Sequence, residues 1–150
     1  MFEHNETTTT LNTLIATLLD SIDGYQKSAG DVDNPRLAEL FNARASERQH
    51  AVTGLQAAVA AAGGNPEDDG STMGALHRAF QSLREVVSSR DDAAIVAEIE
   101  RGEDYLKAKF ESALKMNDLT PQARAAIEQA WQSVQAGHDE MRNLKHSLGA

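Results

Sequence analysis

The chain has 150 residues, a formal net charge of −9 and no cysteine. The absence of cysteine excludes disulfides, thiolate metal sites, iron–sulfur clusters and cysteine nucleophiles. The negative charge disfavours nucleic acid and anionic membranes as partners, because both repel an acidic surface. A chain of this length is expected to form one domain whose hydrophobic core is stable without covalent cross-links.

The sequence from Met1 to Glu6 is polar and lacks the basic and apolar regions of a signal peptide. No apolar run approaches the roughly 18 residues that a membrane-spanning helix needs. We therefore expect a soluble, cytoplasmic protein that binds neither membrane nor nucleic acid.

The first part of the sequence predicts two antiparallel helices. Residues 1–10 are expected to form a flexible lead-in that ends in four threonines, any of which can cap a helix. Apolar residues spaced three and four apart predict a first helix that runs to about Ala29. A second helix is predicted between Asp33 and Gly63: either Asp33 or Asn34 can cap it, Pro35 suits the first helical position, and glycine ends a helix. The short turn between the two helices makes them neighbours.

The rest of the sequence predicts three more helical segments. A loop over residues 63–70 is followed by a helical segment over residues 71–89. Two further helices are predicted over residues 91–116 and 120–148, and each starts at a capping Asp or Thr. No strand pattern and no internal repeat occurs in the sequence.

This order of elements predicts an all-α fold of two helical hairpins joined by a long connection that contains its own helix. A ferritin-like four-helix bundle has such an up-down-down-up order with one long crossover. A five-helix up-and-down bundle is the competing topology. We expect a single ferritin-like domain over residues 11–148, with the additional helix in the crossover between the second and third bundle helices.

A Glu-x-x-His spacing in the second helix suggests a metal centre. Ferritin-like di-iron sites use a carboxylate from each of two helices and Glu-x-x-His from the other two. Glu47-x-x-His50 has this pattern, whereas Gln135-x-x-His138 carries an amide in place of the carboxylate. Asp20 lies level with Glu47, counted from the turn, but opposite the apolar face of its helix. The candidate iron ligands are Glu47, His50, Glu103, His138, Asp20 and Glu100.

The faces of the helices favour a second interpretation of these residues. With about 100° per residue, Glu103 and His138 fall on apolar faces, and Arg48 fills a gap in the bulky stripe of the second helix. Glu47 and His50 fall beside that stripe. Arg48, Glu103 and His138 would then form a buried polar layer that fixes helix register and binds nothing. An arginine inside a metal centre would oppose the metal unless it paired with a ligand carboxylate.

No other group of residues predicts catalysis. The serines and threonines lie at caps and on polar faces, without a glycine elbow or an oriented His–Asp pair. The acidic loop over residues 63–70 would repel phosphate. A hemerythrin-like site would need more inward-facing histidines than the chain supplies.

Short strings along the chain carry a family resemblance. They are Leu11-Asn12-Thr13-Leu14-Ile15, Asp20 with Gly24-Tyr25, Glu47-Arg48 with His50, Gly70-Ser71-Thr72-Met73-Gly74-Ala75-Leu76-His77-Arg78 and Glu100-Arg101-Gly102-Glu103. Over about residues 10–148 the chain resembles a family of uncharacterised bacterial four-helix-bundle proteins. That family is classed with ferritin-like domains and described mainly as a domain of unknown function.

The resemblance implies a ferritin-like fold, a cytoplasmic bacterial setting and a connection with iron or stress. Glu47, His50 and Glu103 match the ferritin-type ligand positions best. Gln135 departs from the expected glutamate, and the first helix offers aspartate where such sites have glutamate. These departures favour a single-metal or metal-free site over a complete di-iron centre.

Two functional hypotheses follow. The first is a non-enzymatic helical-bundle protein, structural or stress-related, with a buried polar layer. The second is an iron-binding protein with one or two metal ions and a ferroxidase-like activity. In both cases we expect a homodimer formed through an exposed apolar or small-residue face.

Overall fold

The computed structural model of the protein describes residues 2–68 and 91–148, and this part of the chain contains helices and no strand. Its helices are α1 (Phe2–Asp31), α2 (Pro35–Ala61), α3 (Asp92–Leu114) and α4 (Pro121–Ser147). The all-α class predicted from the sequence is confirmed. The helix predicted over residues 71–89 lies outside the described residues.

Capping residues and prolines define the starts of three helices. The side chains of Asn34, Asp91 and Thr120 each accept a hydrogen bond from a backbone amide two or three residues later. Proline follows the cap in α2 and in α4, where its fixed φ suits the first helical residue. After the end of α2, Gly63 adopts a φ of 84°, which glycine tolerates because it has no Cβ atom.

The first helix is longer than the sequence indicates. α1 begins at Phe2, which corrects the prediction that the helix starts only after residue 10. The hydroxyl groups of Thr13 and Thr17 donate to the carbonyls four residues before them, at 2.9 Å each. Such bonds satisfy the hydroxyl groups within the helix. Thr7 is buried, so packing holds the early turns, and the threonines lie within α1 instead of capping it.

Contacts at the two ends of the bundle establish the helix directions. At one end, the carboxylate of Asp92 accepts hydrogen bonds from the amides of Asp33 at 2.9 Å and Asn34 at 3.1 Å. At the other end, the hydroxyl of Thr10 donates to the sulfur of Met116 at 3.5 Å. α3 therefore starts beside the α1–α2 turn and ends beside the early turns of α1. The helix order is up, down, down, up, and the chain between α2 and α3 joins opposite ends of the bundle.

The four helices pack in a ring around one core. α1 and α4 each pack on α2 and α3, and they make few contacts with each other across the diagonal. The core is mainly aliphatic, with the Tyr25 and Phe41 ring centres 5.9 Å apart. Arg48 and Glu103 are buried within this core. Among the described residues, no helix has the length and apolar character to cross a membrane.

Candidate functional site

Arg48 is fully buried in the middle of α2. The neighbouring residues on its side of the helix, Ala45 and Val52, are buried as well. Their three- and four-residue spacing puts Arg48 on the same inward face. The arginine is 0% exposed, so its charge requires a partner inside the bundle.

Glu103 of α3 is that partner. Nη1 of Arg48 lies 2.5 Å from Oε1 of Glu103, and Nη2 lies 2.5 Å from Oε2. Two parallel bonds of this kind match the planar guanidinium to the planar carboxylate. Nη1 also donates to the hydroxyl of Ser21 in α1 at 2.6 Å. The ion pair therefore connects α1, α2 and α3.

The fourth helix, α4, packs against the ion pair at Gly137. A Cβ atom built on Gly137 would collide with Nη2 of Arg48 and would lie 2.7 Å from Oε2 of Glu103. Real Cβ atoms do not approach other atoms so closely, and both neighbours are held rigidly by each other. Gly137 therefore allows α4 to cover the pair directly.

Electrostatics keep Arg48 charged and Tyr25 neutral. Burial alone would lower the pKa of Arg48, but the charge and hydrogen bonds of Glu103 outweigh it and raise the pKa. The guanidinium carbon lies 5.6 Å from the centre of the Tyr25 ring, within cation–π range. Burial, together with the negative charge of Glu103, raises the pKa of Tyr25 well above its ordinary value. The phenol therefore stays protonated beyond the pH at which a tyrosine ordinarily ionises.

A second, outer network links α2 to α4. Arg44 donates to Glu47 at 2.6 Å and to Glu140 of α4 at 2.8 Å. Ser133 of α4 donates to the same oxygen of Glu47 at 2.6 Å. Burial alone would raise the pKa of Glu47, but the hydrogen bond from Ser133 and the charge of Arg44 outweigh it and lower the pKa. Groups of the protein itself thus hold the Glu47 carboxylate as an anion.

His138 does not join the buried ion pair. Its Nε2 lies 2.6 Å from Oδ1 of Asp104 in α3, whose side chain is exposed. This corrects the predicted layer of Arg48, Glu103 and His138. The reason is rotation: successive helical residues differ by about 100°, and Gly137 occupies the direction that faces the pair.

The other predicted metal ligands lie apart. His50 is exposed on α2, and Glu100 is half-buried on α3. Both oxygens of Glu103 are bound by Arg48. Within residues 2–68 and 91–148, no three or more histidine, aspartate or glutamate side chains form a group that could hold a metal ion.

Asp20 is buried, with 5% of its surface exposed. The sequence allows two interpretations of Asp20, a solvent-facing residue or a partner of His77 or Arg78, and its burial excludes the first. Thr17 and Ser21 are buried beside it, so α1 is covered on more than its apolar face. The predicted partners His77 and Arg78 lie outside the described residues.

Three residues of the site were not identified from the sequence. Gly137 carries a signal, because an isolated glycine inside a helical pattern often marks a close packing contact. Arg44 lies one turn before Arg48 and so shares its side of α2. Ser21 has only a weak signal, since a serine next to an apolar stripe is common. Its hydroxyl can be recognised as part of the site only when the position of the Arg48 guanidinium along the bundle axis is known.

In the part of the chain that the structure describes, four helices form a bundle around a buried arginine–glutamate pair. A family described as Domain of unknown function (DUF2383) matches residues 6–116. The match covers well over half of the chain, and the chain therefore belongs to this family. It spans α1 from residue 6 onward, all of α2 and α3, and both residues of the ion pair, whereas α4 lies beyond it. A comparison with curated proteins finds no match.

Proposed function

We propose that this protein is a non-enzymatic, ferritin-like helical bundle with a structural role, in which the Arg48–Glu103 pair fixes how the helices fit together. The observation that carries this proposal is that both oxygens of Glu103 bind the guanidinium of Arg48. The carboxylate is thereby committed to a cation of the protein itself. The up-down-down-up order of the described helices supports the ferritin-like assignment, since that form has one long crossover.

The ion pair suits a role in helix register because its geometry depends on every helix of the bundle. α2 and α3 carry the two charges, α1 supplies Ser21, and α4 supplies the space at Gly137. Sliding α2 by one helical turn would move Arg48 by about 5.4 Å and break both bonds to Glu103. Two unpaired charges would then remain in an apolar core. The same shift costs less free energy where only aliphatic side chains are in contact, since one apolar side chain can take the place of another.

The same pair disfavours a metal centre at Glu103. Arg48 stays cationic in the core because Glu103 raises its pKa, and a divalent cation at this carboxylate would be repelled by the guanidinium. Glu47 is held by Arg44 and Ser133. Recruiting either glutamate to a metal would break short, charge-assisted hydrogen bonds.

A double-mutant cycle tests the structural role. Arg48→Met and Glu103→Met each leave one buried charge unpaired, so each is expected to lower the free energy of unfolding by about 3–5 kcal/mol. The double variant has apolar side chains at both positions and is expected to regain most of that loss. Urea denaturation measures all three values.

The role in register predicts a further property of the double variant. Its amide NMR spectrum should be broadened or doubled relative to the wild type, because the pair that excludes slipped packings is gone. A nearly neutral effect of Arg48→Met would contradict the proposal. A double variant with a single sharp set of resonances would show that the apolar core alone determines register.

Iron loading tests the alternative, an iron-binding protein with ferroxidase-like activity. The wild-type protein is incubated with Fe(II) without oxygen, separated from unbound iron and analysed for metal. We expect no tightly bound iron. One or two irons per chain that are lost in Glu47→Ala, but kept in the control Glu39→Ala at an exposed position of α2, would overturn the proposal in favour of the iron-binding function.

A further inference from the structure

A groove between the early turns of α1 and the last turns of α3 contains a methionine. Thr9, Thr10 and Thr13 line one wall, and Lys109 and Met116 line the other. The groove has a volume of about 340 Å³. A water molecule occupies about 30 Å³ in the liquid, so small polar molecules have room beside the methionine.

Met116 lines the groove, and its sulfur accepts a hydrogen bond. Met116 is half-buried, and the hydroxyl of Thr10 lies 3.5 Å from its Sδ atom. Arg124 donates to the backbone carbonyls of Leu114 and Met116, which holds the residue in place at the end of α3. Met141, in contrast, is fully buried in the core. Of the methionines in the described part of the chain, Met116 is thus the one that solvent reaches.

We propose that Met116 is a site of reversible oxidation by hydrogen peroxide and that Thr10 stabilises the oxidised side chain. A lone pair on the sulfur attacks one peroxide oxygen, the O–O bond breaks, and the departing hydroxide takes the proton of the transferred oxygen to form water. The sulfur loses two electrons and the peroxide gains them. The product is a methionine sulfoxide and one molecule of water.

The groove accommodates the sulfoxide because a donor, the Thr10 hydroxyl, already faces the sulfur. A thioether is a weak hydrogen-bond acceptor, whereas a sulfoxide oxygen is a polar acceptor that the Thr10 hydroxyl can satisfy. Sulfoxidation in a core adds an unsatisfied polar group and disrupts packing. At Met116 sulfoxidation replaces the weak bond from Thr10 to sulfur with a stronger bond from Thr10 to the sulfoxide oxygen. Methionine sulfoxide reductases can reverse the oxidation.

Peroxide titration of the folded protein tests the site. Peptide mass spectrometry follows the added oxygen at Met116 and Met141 over time. Because susceptibility follows exposure, we expect Met116 to be oxidised at least about tenfold faster than Met141. Equal rates at the two residues, or an unreactive Met116, would overturn the assignment of the site.

Thermal unfolding of the oxidised protein tests the role of Thr10. Wild type oxidised at Met116 is expected to unfold at the same temperature as the reduced protein or higher. Thr10→Val lacks the donor, so its oxidised form should unfold at a lower temperature than its reduced form. Met116→Leu, treated in parallel, reports any shift caused by other methionines. A lower unfolding temperature of the oxidised wild type, after that correction, would overturn the stabilising role, as would identical shifts in wild type and Thr10→Val.

Discussion

Gly137 and Gly54 are both helical glycines, but their surroundings are opposite. A Cβ atom at Gly137 would meet Arg48 and Glu103, whereas a Cβ atom at Gly54 would have no neighbour within 4 Å. At an open helical position, alanine is favoured over glycine by about 1 kcal/mol. At Gly137 that preference competes with the displacement of a rigid, buried ion pair. The second effect is larger, because separating a buried pair strands its charges.

We predict that Gly137→Ala lowers the free energy of unfolding by about 3 kcal/mol. Gly54→Ala, the matched control, should raise it by up to about 1 kcal/mol. Both values come from urea denaturation of the variants beside the wild type. A Gly137→Ala variant that is as stable as the wild type, or more stable, would mean that the ion pair yields to the added methyl group without cost.

Glu47 contributes to stability in a pH-dependent way. Because its pKa is lowered in the folded protein, its contribution is present above the ordinary glutamate pKa of about 4.3 and is lost as the pH falls through the lower, folded value. Ser133→Ala removes a hydrogen bond to the carboxylate. We therefore predict that the pKa of Glu47 rises in this variant, as measured by NMR titration of its carboxyl carbon.

The same substitution has a matching effect on stability. Ser133→Ala should be less stable than wild type at neutral pH, and the difference should shrink as the pH falls through the acid range. Ser46→Ala, at an exposed position of α2, is the control and should leave the titration of Glu47 unchanged. An unaltered pKa of Glu47 in Ser133→Ala would show that Arg44 alone holds the carboxylate.

Among the elements, the bounds of α2 could be predicted closely from the sequence. Asn34, Pro35 and Gly63 are local signals whose meaning does not depend on the rest of the fold. The start of α1 could not be predicted in this way. A threonine caps a helix or continues it according to whether the preceding turn is packed, and that packing comes from distant parts of the chain. Thr7, for example, is buried.

The candidate site was predictable only to the level of helix faces. Periodicity places Arg48 and Glu103 on inward faces, and the structure brings the two side chains together. Periodicity does not decide which of two neighbouring residues of a helix contacts the pair. Gly137 and His138 differ by about 100°, and this rotation determines that the glycine meets the pair while His138 meets Asp104. Rotation is set by the packing of all the helices at once, which no single helix encodes.

Asp92 connects the second helical hairpin to the first. Its carboxylate accepts the amides of Asp33 and Asn34 in the α1–α2 turn. We predict that Asp92→Ala lowers the free energy of unfolding by about 1–2 kcal/mol and speeds hydrogen exchange at those two amides. Asp91→Ala is the control, since it removes only the cap bond to Ala93. Unchanged exchange at Asp33 and Asn34 in Asp92→Ala would contradict a role for the carboxylate in holding the turn.

At the scale of the whole molecule, the family match and the folded unit have different limits. The match ends at residue 116, before α4 begins. Nevertheless, α4 packs on α2 and α3 and buries Ile127, Val134 and Met141 completely. Each such side chain contributes about 1.5–3 kcal/mol of burial, and domains have a net stability of about 5–15 kcal/mol. The loss of α4 therefore removes an amount of stabilisation comparable to the net stability of the whole domain.

We predict that a chain ending at Met116 does not unfold cooperatively, although it contains the entire matched region. Circular dichroism should show a broad thermal transition, and a dye that binds exposed apolar surface should fluoresce strongly. A chain ending at Leu148 keeps α4 and should unfold cooperatively like the full chain. A peptide of residues 117–150 added to the shortened chain should restore cooperative unfolding, because it supplies the missing face of the core. Cooperative unfolding of the shortened chain alone would mean that three helices suffice and that α4 is an addition to a complete fold.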